Sequence, residues 1–146
     1  MYNDQLPNGS WTEVYGHSKG VFAYDATSAF WIQHSIPTLP EVKAKGYNYG
    51  SSQLWYGQHA FCISLPPAAL NAVAGIMRYA FPQVYDYALV DPLLSNVTAI
   101  VKGGHVLDGA AAEHVPVGWG EVVLTGKASA LGKDMLDLIT APKLQV

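Results

Sequence analysis

One stretch constrains this chain more than any other. Gly16-His17-Ser18-Lys19-Gly20-Val21-Phe22-Ala23-Tyr24-Asp25 is followed by Ala26-Thr27-Ser28, and then by Ala29-Phe30-Trp31-Ile32-Gln33-His34-Ser35-Ile36-Pro37. Two runs rich in aromatic and β-branched residues flank a connection of turn formers, Asp25 to Ser28, which is the signature of a β-hairpin. Residues two apart in a strand point to the same face, so His17 and Lys19 are expected to project side by side. Symmetry about Ala26-Thr27 sets Lys19 opposite His34, Val21 opposite Ile32 and Ala23 opposite Phe30. A one-residue bulge would instead turn His34 to the other face. The symmetric register gathers two imidazoles and an ammonium at one end of a face with an apolar floor.

That grouping suits phosphoryl transfer. Imidazole attacks phosphorus or protonates a leaving oxygen, and a fixed ammonium stabilises charge on phosphate oxygens. A second imidazole supplying the proton would remove the need for a metal, and no cofactor is expected. The tripeptide alone is weak evidence, since chance yields roughly 0.3 His-x-Lys per chain of this composition. A hairpin with a structural histidine would read the same way.

The same residues resemble a family. Gly16 to Asp25 and Phe30-Trp31-Ile32-Gln33-His34-Ser35-Ile36-Pro37 look like the first catalytic segment of deoxyribonuclease II, an acid endonuclease branch of the phospholipase D superfamily that uses two His-x-Lys motifs. Further matches follow in the family's order: Met1-Tyr2-Asn3-Asp4-Gln5, Tyr56-Gly57-Gln58, Cys62-Ile63-Ser64-Leu65, Val101-Lys102-Gly103-Gly104-His105-Val106 and Leu144-Gln145-Val146. The superfamily's Asp, five residues after the Lys, is absent: position 24 is Tyr, and the nearest Asp is Asp25. The resemblance implies metal-independent hydrolysis of DNA phosphodiesters at acid pH through a phosphohistidine. His17 would be one imidazole of the reacting pair, Lys19 the phosphate-binding cation and His34 an accessory group. Tyr56, Gln58 and His105 would meet substrate. Only one His-x-Lys is present, because His34, His59, His105 and His114 have Ile, Phe, Leu and Pro at the +2 position. The chain therefore reads as a single incomplete domain over 1–146, the first catalytic half of a two-half architecture. The second motif would come from a further segment or from a second copy in a homodimer. The alternative is an inactive deoxyribonuclease II-like module with a structural or binding role in an assembly.

Composition sets bounds. Half the residues are hydrophobic and 13% are charged, so a sizeable core is expected and disorder is not. No apolar run reaches the ~18 residues of a membrane span, and the first residues lack the basic start and apolar core of a signal peptide. The formal charge of −3 argues against generic nucleic-acid binding. Five protonated histidines would carry it to +2, as an acidic compartment permits. The family resemblance implies a lysosomal or secretory location. Asn8-Gly9-Ser10 and Asn96-Val97-Thr98 are glycosylation acceptor tripeptides. Cys62 is the sole cysteine. Its family counterpart pairs with a more N-terminal Cys that this chain lacks. Asp108, Glu113 and His114 are the nearest approach to a metal cluster, but without ligand spacing.

The rest reads as a mixed α/β fold, a sheet covered by helices. Residues 1–15 are polar and turn-rich, and 37–52 form a loop in which Lys43 and Lys45 are solvated rather than bound to phosphate. Gln53 to Leu65 is expected as a central strand with cover on each side. Ser64 is expected to cap a helix beginning with Pro66-Pro67, with Leu70, Val73, Ala74, Met77 and Ala80 inward. Residues 83–95 read as irregular packing, 97–106 as a strand broken by Gly103-Gly104, 109–116 as a loop, 120–125 as a short strand and 126–139 as a helix. A further strand begins at Leu144.

Overall fold

A computed structural model describes residues 1–140; the strand expected from Leu144 lies outside them. The hairpin is present, as β2 (Lys19–Tyr24) and β3 (Ala29–His34), with Val21 opposite Ile32 and Ala23 opposite Phe30. Asp25 closes the turn. Its Oδ1 accepts from the backbone N–H and hydroxyl groups of both Thr27 and Ser28, and these bonds hold its carboxyl down to about 2.

Two more strands complete an antiparallel sheet in the order β1-β2-β3-β4, where β1 is Tyr2–Asn3 and β4 is Ala60–Leu65. The inner face carries Ala29 and Trp31 of β3 with Ile63 and Leu65 of β4, all buried. Helix α1 (Pro67–Met77) lays Leu70, Val73, Ala74 and Met77 into the same core. That is the expected stripe; Ala80 is partly buried and sits in a 3-10 turn beyond the helix. The N-cap is Pro66 rather than Ser64, which stays in β4. Tyr2 seals the other end: its buried hydroxyl accepts from Trp31 Nε1 at 2.9 Å, and its ring packs on Phe22.

Among the described residues the other face of β4 is uncovered and β4 is an edge strand: Ala60, Cys62 and Ser64 are exposed, and Cys62 is a free thiol. Phe61, on the inner face, is also exposed. Its expected N-terminal half is a 3-10 turn, Ser51–Trp55, and a loop.

Three expectations in the C-terminal half give way to other elements. Helix α2 (Ser95–Val101) replaces the strand expected at 97–106. Its β-branched residues favour a strand locally, but Val97 and Ile100 bury one helical face in the core, and Asn71 of α1 caps the first turn. The Asn71 side-chain oxygen accepts from Asn96 N–H, while the Asn96 amide donates to Asn71 O. This satisfies donors that a helix start leaves orphaned. The loop expected at 109–116 is strand β5 (Ala110–Val117), which pairs with β6 (Gly120–Lys127). Val115 and Val117 are drawn into the core. The helix expected over 126–139 is a strand end, a 3-10 turn at Ser129–Leu131 and a short helix α3 (Met135–Thr140). No helix among the described residues is long and apolar enough to cross a membrane.

Gly20 is where β1 and β3 close on β2. A Cβ there would lie 2.3 Å from both the Ile32 carbonyl oxygen and the Tyr2 hydroxyl. Gly20→Ala should therefore cost about 1–3 kcal/mol through overpacking, measured by urea unfolding. Gly57→Ala, where a Cβ meets nothing within 4 Å, should stay within about 0.5 kcal/mol.

Candidate functional site

At the open end of the hairpin the chain enters β2 through Gly16-His17-Ser18. Gly16 donates its N–H to Phe81 O at 2.9 Å, and a Cβ on it would meet Ala80 O at 1.8 Å, so only glycine fits this crossing. Phe81 itself holds a left-handed backbone, φ 52, an arrangement worth about 1–3 kcal/mol of strain. Its carbonyl thereby takes the Gly16 N–H while its ring lies 3.9 Å from that of His105.

His17 and Lys19 leave the chain toward the same carboxylate. Asp4 Oδ2 lies 2.9 Å from His17 Nδ1, and Asp4 Oδ1 accepts from the Lys19 ammonium. Exposure differs sharply: the His17 side chain is 89% exposed, Asp4 15% and Lys19 5%. The pair is thus an anchored imidazole at the surface above a buried, neutralised ammonium. Asp4 is the residue that the sequence reading missed. It directly follows β1, whose Asn3 pairs with Lys19. Asn3 is wholly buried, its amide donating to Ile36 O and Leu39 O while its side-chain oxygen accepts from Gln5 N–H. The one available signal was the segment Met1 to Gln5 itself. Tyr24, five residues after Lys19, donates its hydroxyl to Val90 O.

His34 ends β3 and is buried, one residue beyond the pairing of Gly20 with Gln33 and so on the register expected to set it opposite Lys19. Its Nδ1 accepts from Ile36 N–H at 3.2 Å, so in the neutral ring the proton sits on Nε2, which is buried without a partner among the described residues. Burial, and then the Lys19 charge, push its pKa below the ordinary imidazole value. Gln58 accepts from the hydroxyl of the next residue, Ser35, at 2.5 Å; Ser35 N–H donates to His59 O, and His59 N–H donates to Ser35 Oγ. Tyr56, 69% exposed, is outside this network.

His105 lies one layer back. It stacks on Phe81 and meets Tyr15 edge-on, with its Nδ1 buried and unpartnered among the described residues. Burial and Arg78 lower its pKa. Of the residues expected at the site, His17, Lys19, His34 and Gln58 gather at this end of the sheet, while His105 backs the segment that carries His17. Depressions of about 640 and 610 Å³ lie elsewhere, by the Asp25 turn and beside β2 and α2, and include none of these side chains.

The remaining candidates are dispersed. Asn8 lies in an exposed turn, its side-chain oxygen accepting from Ser10. The Asn96 amide is engaged by Asn71 and Arg78. His114 pairs with Glu121 across the β5–β6 ladder, and Asp108 accepts from Gly109 N–H. Among the described residues no three His, Cys, Asp or Glu side chains gather as metal ligands do.

Comparison with known proteins gives a consistent result. The family model for deoxyribonuclease II matches residues 1–146. Plancitoxin-1 of Acanthaster planci is 37% identical over 111 residues, covering 73% of this chain and 31% of the relative. Deoxyribonuclease-2-alpha of Mus musculus is 33% identical over 138 residues, covering 89% and 37%. The rat form is 34% identical over 114 residues, covering 73% and 33%. The chain thus spans about a third of the length of these relatives. No solved structure matches.

His34, which is buried, and His105, which is half-buried, set a pH dependence. Burial and then a neighbouring cation hold both below the ordinary imidazole pKa. Their contribution is therefore present above pH 6.5 and is lost as pH falls through the folded values. Thermal melts should show the midpoint falling between pH 7 and pH 5. His105→Phe, which keeps a ring on Phe81, should flatten part of that fall.

Proposed function

The chain belongs to the deoxyribonuclease II family, and from that premise we propose that it carries one half of a metal-independent site for hydrolysing DNA phosphodiesters at acid pH. The observation that supports this most is the convergence of His17 and Lys19 on one carboxylate, with the His17 ring open to solvent. The relatives' names include deoxyribonuclease-2-alpha, deoxyribonuclease-2-beta and cell death-related nuclease 6.

In this reading the reaction is a double displacement. One imidazole Nε2 bonds to phosphorus while the bond to the leaving sugar oxygen breaks, and a second imidazole gives that oxygen its proton. Water then attacks the phosphohistidine, the second imidazole takes the water's proton, and the N–P bond breaks. His17 fills one of the two roles. Lys19 stabilises the charge on the non-bridging oxygens from beneath the site, through its field more than by contact, because it is buried and paired. His34 is the accessory group, and Tyr56, Gln58 and His105 flank the substrate path.

The other imidazole comes with a second His-x-Lys motif, from a further segment of the same enzyme or from a second copy of this chain. The family reading gives this half the first place in a two-half, phospholipase D-like enzyme of the lysosome or secretory route, with Asn8 and Asn96 as glycan acceptors. In it Cys62 awaits a more N-terminal cysteine. The uncovered outer face of β4 lies on the same sheet as the site and suits such a counterpart. Losing one of two cooperating imidazoles costs orders of magnitude in rate. The second reading, an inactive module that binds or braces an assembly, draws on the burial of Lys19 and on the single motif.

Plasmid nicking at pH 5 with EDTA separates the two. Supplied with a second His-x-Lys motif, within the full-length enzyme or at concentrations at which two copies pair, the protein should nick DNA, His17→Ala should reduce the rate at least about 10²-fold, and addition of a divalent metal should not restore it. Cleavage that survives His17→Ala, or none with the second motif supplied, would favour the inactive module.

A further inference from the structure

We propose that Asp4 is a positioning residue for the reaction, fixing the tautomer and direction of the His17 ring; this rests on the nuclease reading above. Both carboxylate oxygens are used, on different partners: Oδ1 on the Lys19 ammonium and Oδ2 on His17 Nδ1 at 2.9 Å. Neutralising buried Lys19 needs an adjacent anion, and a single oxygen would serve. The bond to His17 has no such structural need, since that side chain is 89% exposed. An exposed pair of this kind adds little to stability. What it does change is the imidazole itself. A carboxylate that accepts at Nδ1 puts the ring proton there. In the neutral ring the Nε2 lone pair is then left facing solvent, where an anionic ester can approach.

In either role, nucleophile or proton donor, Nε2 is then the reacting atom. The ring loses rotational freedom before substrate arrives. Asp4 is itself held firmly. The preceding Asn3 is wholly buried and bonded to Ile36 O and Leu39 O, and the following Gln5 donates its N–H to Asn3 Oδ1. The carboxylate therefore reports the seating of β1 to the active ring. A chain in which β1 leaves the sheet edge would keep His17 and Lys19 in sequence but release the imidazole.

Two measurements test this. In ¹⁵N-labelled wild-type protein near neutral pH, ring correlations of His17 should show the Nδ1–H tautomer predominating. A ring predominantly in the Nε2–H form would overturn the proposal. In plasmid nicking, Asp4→Asn should lower kcat about 10²-fold with KM nearly unchanged, and Asp4→Glu should recover part of that loss. A wild-type rate in folded Asp4→Asn would also overturn it. Should Asp4→Asn fail to fold because Lys19 loses its counter-charge, the wild-type tautomer decides alone. Cleavage is read with the second His-x-Lys motif supplied, as above, and failure of the nuclease reading is visible separately, as absence of cleavage by that wild-type assembly whatever tautomer His17 shows.

Discussion

A buried lysine is the constraint around which this end of the molecule is built. Lys19 is 5% exposed in its side chain, and an ammonium taken out of water requires a counter-charge. The chain meets that need with Asp4, the residue directly after a strand of two residues on the sheet edge. Breaking such a buried pair typically costs about 3–5 kcal/mol, because one charge is left uncompensated. The short β1 is consequently fastened far more firmly than its two ladder positions alone would allow. Tyr2 anchors it from below through Trp31, and Asn3 anchors it from above through Ile36 and Leu39.

Chemistry follows from the same arrangement. With Lys19 and His34 buried, His17 is the one member of the group presented to solvent. Behind it Gly16 is pinned to the Phe81 carbonyl, and the Phe81 ring carries His105. The His17 ring itself is 89% exposed and held through Asp4 alone among the contacts described. In the proposed mechanism a single motif of this kind supplies one of two imidazoles, and the chain matches about a third of its relatives' length.

Much of this was legible in the residues, and the failures share a cause. The hairpin register was readable because alternation and the Asp25 turn are local and agree with each other. The α1 stripe was readable for the same reason. Helix α2 was not: Val97, Thr98, Ile100 and Val101 have strand propensity, and only Asn71, some 25 residues earlier, supplies the cap and packing that make a helix. Strand β5 was obscured by Ala110-Ala111-Ala112, residues without strand preference that are held extended by β6. Asp4 was overlooked because a two-residue strand has no periodicity to read, and its partner lies 15 residues away. The family resemblance had already marked Met1 to Gln5 as significant, but not why.

The most direct test of the account is a double-mutant cycle on stability between Asp4 and Lys19, using Asp4→Asn, Lys19→Met and the combination in urea unfolding. If one carboxylate holds the buried ammonium and organises the site, the two changes should be strongly non-additive, with a coupling of about 1–3 kcal/mol. The double variant should then be more stable than the sum of the single losses implies. Additive losses would mean that the two groups do not meet, and the site built on their meeting would not stand.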